Sequence, residues 1–173
     1  YEEVAGRPAP AVTAAIDLRR EERVQAGWSY NAMGLSYLDI GKAETAAGYF
    51  ERARAAGQAE GDRQLTGAAL GNLGLAYADL GDARRAIGYH EQALEIAREI
   101  GDRRGEGNAL GNLGLAYANL GDARRAIHCY EQALAILREI GDIAGVAADS
   151  FNMALLHAQQ GDTARAIPLA QEA

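Results

Sequence analysis

Asparagine side chains recur at a spacing of forty residues and could bind a peptide backbone. Asn72, Asn112 and Asn152 occupy equivalent positions, and each amide carries both a hydrogen-bond donor and an acceptor. Such a series can bond to the main chain of an extended polypeptide in either direction. Three residues after each asparagine comes a leucine: Leu75, Leu115 and Leu155. These leucines would take apolar side chains of the same ligand.

The residue types that usually perform catalysis or ligate metals do not recur at a regular spacing as the asparagines do. His90 and His157 fall at packing positions, and Cys129 is the only cysteine. No set of His, Cys, Asp and Glu has the spacing of metal ligands. The stretch from Gly105 to Gly111 departs from the phosphate-binding spacing G-x-G-x-x-G and lies within a predicted helix. We therefore expect no enzyme, no cofactor and no metal site.

Glycines spaced twenty residues apart divide the chain into helices. They are Gly41, Gly61, Gly81, Gly101, Gly121, Gly141 and Gly161, and an aspartate follows each of them except the first, which precedes Lys42. Glycine accepts the left-handed conformation that ends a helix, and aspartate caps the next helix by accepting backbone N–H bonds. The apolar spacing between them is helical. The pattern predicts A helices over about 23–40, 63–80, 103–120 and 143–160, and B helices over about 43–60, 83–100, 123–140 and from 163 onward.

Small residues are predicted to set how closely the two helices of each hairpin pack. Three glycines of the A helices each precede an alanine of the B helix by twelve residues: Gly34 and Ala46, Gly74 and Ala86, Gly114 and Ala126. In a hairpin that turns at the intervening glycine, these two positions face each other. The sequence therefore predicts close backbone approach at the glycine–alanine pairs.

The third unit resembles a known repeat. The residues that match the signature of the tetratricopeptide repeat are Leu110, Leu113, Gly114, Tyr117, Ala126, Tyr130 and Ala133. The chain looks most like the long-repeat variety found in Pins-type scaffolds, kinesin light chains and bacterial regulators. The resemblance implies an all-α fold, a right-handed superhelical solenoid of about four antiparallel helix hairpins. We expect one solenoid domain over 11–173 with units at about 23–60, 61–100, 101–140 and 141–173, an extended lead-in over 1–10 and an extra capping helix over 11–22.

In such arrays the A helices line the concave surface, so the resemblance implies a groove on the A-helix face opposite the core stripe. The predicted peptide-binding residues on this face are Trp28, Leu35, Asn72, Leu75, Asp79, Asn112, Leu115, Asn119, Asn152 and Leu155. Three alternatives stay open at this point. The leucines could pack against the next A helix, and the asparagines could hydrogen-bond between repeats or to water. Trp28 could belong to the core or to a cap.

These features predict a protein–protein interaction module that binds a peptide or partner segment in the groove. The alternatives are head-to-tail assembly into a homo-oligomer, and a regulatory or sensor domain of a larger bacterial signalling protein. The net charge of −7 argues against a nucleic-acid partner. The apolar runs are too short for a membrane span, so we expect no membrane partner. The lone cysteine suits a reducing, cytoplasmic compartment.

Arginine pairs occupy the first turn of two B helices, where the helix dipole disfavours cations. They are Arg84 with Arg85, and Arg124 with Arg125. Either the pair was copied with the repeat, or it forms an outer basic patch for an acidic partner.

Overall fold

Eight helices account for almost all of the chain that the computed structural model describes, which is residues 10–173, with side chains from residue 17 onward. The A helices are α1 (Pro10–Asp39), α3 (Arg63–Asp79), α5 (Arg103–Asn119) and α7 (Ile143–Gln159). The B helices are α2 (Ala43–Glu60), α4 (Ala83–Ile100), α6 (Ala123–Glu139) and α8 (Thr163–Glu172). No strand occurs in this part of the chain. The all-α prediction is confirmed, and the helix bounds from Asp39 onward agree with the predicted ones within about one residue.

The first helix differs from its prediction. Residues 11–22 do not form a separate capping helix but continue without a break into the A helix of the first unit. Glu21 and Glu22 stand where later units carry Gly–Asp, and glutamate neither adopts the left-handed conformation readily nor ends a helix. The predicted lead-in over 1–10 lies outside the described residues except for Pro10, where the helix begins.

The Gly–Asp pairs end one helix and begin the next as predicted. All seven glycines have positive φ, between 69° and 77°. At each of the six aspartates a side-chain oxygen accepts the backbone N–H three residues on, as Asp62 does from Leu65 at 2.8 Å and Asp122 from Arg125 at 3.0 Å. Lys42 makes no such cap, so α2 begins without one.

Successive helices pack against each other, and each A helix also contacts the next A helix along the array. The core is therefore continuous between hairpins. One cluster joins Leu94 of α4 to Leu113 of α5 and Leu137 of α6. Each hairpin buries its apolar face only because a neighbour covers it. None of the described helices combines the length and the apolar character needed to cross a bilayer.

At the three glycines of the predicted glycine–alanine pairs, the nearest atoms of another side chain belong to a ring. A Cβ built on Gly114 would lie 2.7 Å from Cε1 of Tyr130, and one built on Gly34 or Gly74 would lie still closer to the ring of Phe50 or His90. Each ring belongs to the residue one helical turn after the predicted alanine. Side chains of a helix point back towards its N-terminus, so the ring reaches the glycine that the alanine faces.

These contacts predict opposite effects for two glycine-to-alanine substitutions. Gly114→Ala is expected to lower the free energy of unfolding by about 1 kcal/mol, because the gain in helix propensity is smaller than the cost of displacing a buried ring. Gly88→Ala, in mid-α4 with no atom within 4 Å of a Cβ, is expected to raise it by about the same amount. Urea unfolding followed by circular dichroism measures both. A stabilised Gly114→Ala would contradict the ring contact.

Candidate binding groove

A groove with a volume of about 670 Å³ lies against the four A helices. Its lining also includes residues of α4 and α6, such as Ala93 and Leu137. The structure brings together six of the ten predicted site residues in this lining: Trp28, Asn72, Leu75, Asn112, Leu115 and Asn152. The groove therefore gathers equivalent positions from successive repeats.

The other four predicted residues lie outside the lining. Asp79 and Asn119 are exposed and are the last residues of α3 and α5. Leu35 and Leu155 belong to the first and last A helices and are also exposed. These four positions extend the same A-helix face beyond the groove itself.

Packing between repeats leaves most of the predicted groove leucines exposed. Leu115 lies in the third hairpin with a neighbour on either side, yet it is 41% exposed, whereas Leu113 and Ala116 beside it are buried. Leu35 and Leu155 are similarly exposed, and only Leu75 is half-buried. Leu35, Leu115 and Leu155 are therefore not buried by packing against the next A helix.

The asparagines divide into two groups. Nδ2 of Asn72 donates to Oδ1 of Asn31 at 2.8 Å, so this amide is used between α1 and α3. Sequence reasoning missed Asn31, which is buried. The positions equivalent to Asn31 in the next repeats are Gly71 and Gly111, which have no side chain to accept such a bond. Asn112 and Asn152 are half-buried and have no side-chain hydrogen bond to any described residue.

Sequence reasoning also missed a carboxylate in the groove lining. Asp149 of α7 is only 8% exposed and occupies the position held by the buried alanines Ala69 and Ala109 in earlier repeats. A Cβ built on Gly111 would lie 2.7 Å from its Oδ2, so the carboxylate sits directly over that glycine. Burial raises the pKa of Asp149 to about 6. Comparing the repeats position by position would have found it, because an aspartate replaces a small buried residue.

The other charged groups of the lining are already engaged. Asp102 accepts the backbone N–H of Gly105 at 2.9 Å, and Arg104 lies 3.6 Å from a carboxylate oxygen of Asp142. Asp149 makes no hydrogen bond or ion pair with any described residue. It is therefore the charged side chain of the lining that the described part of the protein leaves unpaired.

His90 and Cys129 are both buried in the packed interior of the protein. His90 is 1% exposed over Gly74, and burial lowers its pKa to about 4, so the imidazole is neutral near pH 7. Cys129 belongs to the core, and burial raises its pKa, which disfavours the reactive thiolate. Among the described residues, no group of three or more potential ligands is placed to hold a metal ion.

Arginines of the B-helix first turns pack on tyrosines of the preceding A helix. The guanidinium of Arg125 lies 4.4 Å from the ring centroid of Tyr117 and also pairs with Asp122. Arg85 lies 5.1 Å from the ring of Tyr77 in the same way. One arginine of each pair therefore has a packing role, and we do not need an acidic partner to explain it.

The architecture defines a class: an array of helix hairpins whose A helices line a groove is a helical-repeat protein. Residues 25–99, 65–139 and 105–173 match the tetratricopeptide repeat family, and the chain belongs to this family. Tetratricopeptide repeats are a non-enzymatic scaffold type whose general role is protein–protein interaction.

Solved structures with the same fold come from several kingdoms. The tetratricopeptide repeat domain of Arabidopsis FLU is 27% identical, with a TM-score of 0.65, over 68% of this chain and 98% of that domain. A second structure contains the repeats of a kinesin light chain from Podospora anserina. It is 18% identical, with a TM-score of 0.71, over 87% of this chain and 73% of that one. A Pyrococcus horikoshii signal-transduction ATPase with a tetratricopeptide repeat sensor is 19% identical, with a TM-score of 0.76, over 87% of this chain and 23% of that one. A comparison with curated protein sequences gave no match.

Proposed function

We propose that this array binds an extended segment of another protein in the groove along its A helices. Leu75 and Leu115 would receive apolar side chains, and the amides of Asn112 and Asn152 would bond to the main chain. The observation that carries this proposal is the exposure of Leu115 within an otherwise buried stretch of α5. An apolar side chain kept in a polar-rimmed groove is typical of an interaction site.

The test uses short random peptides displayed on phage, followed by fluorescence anisotropy with the selected peptides. An Asn112→Ala/Leu115→Ala variant is expected to bind them at least about tenfold more weakly, because it loses an amide bond and an apolar contact of about 1 kcal/mol each. Glu131→Ala changes an exposed residue of α6 outside the groove and serves as the control. Equal affinities of the wild type and the double variant would refute the assigned site.

We also propose that the chain has no catalytic activity of its own and acts in the cytoplasm. The family is a scaffold type, and the most perturbed histidine, His90, is buried and neutral. The free, buried thiol of Cys129 is compatible with a reducing compartment.

Head-to-tail self-association is a second candidate because the last hairpin exposes several large apolar side chains. Ile143, Phe151 and Ile167 are 83%, 58% and 57% exposed. This edge could cover the first hairpin of another copy. Light scattering over a concentration series separates the candidates: a mass that stays monomeric rules out assembly.

A third candidate is a sensor domain of a larger signalling protein. It has fold-level support from the Pyrococcus horikoshii ATPase, and an ATPase domain encoded in the same gene would favour it.

A further inference from the structure

Asp149 is a buried carboxylate for which the described protein supplies no counter-charge. It is 8% exposed, it lines the groove, and no described side chain or backbone group donates a hydrogen bond to it. A carboxylate without donors is an unfavourable group to bury, since its ionised form loses hydration and gains nothing in return. The same position holds alanine in two earlier repeats, so the fold does not require an acid there.

The surroundings leave this carboxylate accessible from the groove. Gly111, beneath it, has no side chain, and a Cβ at that position would lie within 2.8 Å of both carboxylate oxygens. Asn112, the residue after Gly111, and Leu115, one helical turn further along α5, line the same groove. A ligand group that enters here meets an anionic end flanked by an amide and an apolar side chain.

We propose that Asp149 binds the ammonium or guanidinium group of a lysine or arginine side chain in the polypeptide that occupies the groove. This inference rests on the function proposed above and adds the chemical class of the segment. A cationic group donates charge-assisted hydrogen bonds, which restore what burial removes from the carboxylate. The aliphatic stem of either side chain can lie along an apolar surface such as that of Leu115. The net charge of −7 favours the approach of a basic segment.

Other ligands fit the observations less well. An anionic group would be repelled by Asp149. A metal ion would need further ligands, and no cluster of three or more is placed for one among the described residues. A neutral peptide would leave the carboxylate as poorly solvated as it is now.

The experiment compares the peptides selected by the wild type with those selected by Asp149→Asn, from the same phage library of random short peptides. We expect lysine or arginine at one fixed position of the wild-type set and no such preference in the variant set. In anisotropy titrations, Asp149→Asn is expected to bind the basic wild-type peptides about tenfold more weakly, as for the loss of one charge-assisted hydrogen bond. Replacing the fixed basic residue of the peptide by norleucine should weaken wild-type binding equally and leave the variant unaffected.

Two controls separate charge at the site from other effects. Glu131→Gln removes one exposed carboxylate outside the groove, so it changes the net charge equally and should keep both affinity and preference. Asp149→Ala restores the residue of the equivalent repeat positions, so it should fold and lose the same preference.

The outcomes distinguish this inference from the proposed function. Selected peptides that depend on Leu115 but show no basic residue would overturn the role of Asp149 and leave the groove as a binding site. Basic enrichment that persists in Asp149→Asn, or that Glu131→Gln also abolishes, would overturn it as well. Selection of no peptide by the wild type would overturn both.

Discussion

Asp149→Ala is expected to raise the free energy of unfolding by about 2 kcal/mol near pH 7.5 and to lose this advantage near pH 4. The ordinary aspartate pKa of 3.8 describes the unfolded chain, and burial raises the folded value to about 6. Between these two values the folded state binds more protons than the unfolded state, so wild-type stability falls as pH rises through this window. Alanine removes the titration, and its side chain is known to fit because Ala69 and Ala109 occupy the same position.

Urea unfolding at several pH values, followed by circular dichroism, measures this effect. Glu131→Ala serves as the control because it removes an exposed carboxylate, and it should change stability little at any pH. If the difference in free energy of unfolding between the wild type and Asp149→Ala stays constant between about pH 4 and 7.5, the carboxylate is not desolvated in the folded state.

A residue that lowers stability at the lining of a groove suggests a role that folding does not explain. Most substitutions destabilise a protein, and the exceptions concentrate where function requires an unfavourable group. The stability prediction and the binding inference for Asp149 are therefore linked. The same substitution should strengthen the fold and weaken the capture of basic peptides.

The fold could be predicted from sequence largely because the signals that end and begin its helices act locally. A glycine with positive φ and an aspartate that accepts a backbone N–H act within a few residues, so Gly101 and Asp102 end and begin helices with no help from distant groups. The same argument explains the exception at α1. Glu21 and Glu22 carry no stop signal, and the helix continues through them.

Five of the six predicted residues in the groove lining belong to positions that repeat, and Trp28 is the exception. Leu115 and Asn112 recur every forty residues, and the structure places both in the lining. Asn31 and Asp149 each occur once along the array, so a search for residues that recur every forty positions does not select them. The bond from Asn72 to Asn31 depends on the distance between two A helices, which the sequence does not specify.

His90→Phe is expected to stabilise the protein by about 1 kcal/mol near pH 7.5 and by about 4 kcal/mol near pH 4. Phe50 occupies the equivalent position over its own glycine, so a phenyl ring fits the site. At neutral pH the gain comes from removing Nδ1, which is buried without a hydrogen-bond partner. The larger gain in acid comes from removing the titration, since the imidazole pKa is 6.5 in the unfolded chain and about 4 when folded.

The sign of the His90 effect is opposite to that of Asp149 in nearly the same pH window. Below pH 6.5 the unfolded chain protonates the imidazole before the folded protein does, so acid removes stability through His90. Acid adds stability through Asp149 over the range from about 6 down to 3.8. The two contributions largely cancel in the wild type. As pH falls, His90→Phe should therefore gain stability relative to the wild type, and Asp149→Ala should lose stability relative to it. The profile of the double variant should run parallel to that of the wild type, and parallel profiles for all four proteins would contradict both assignments.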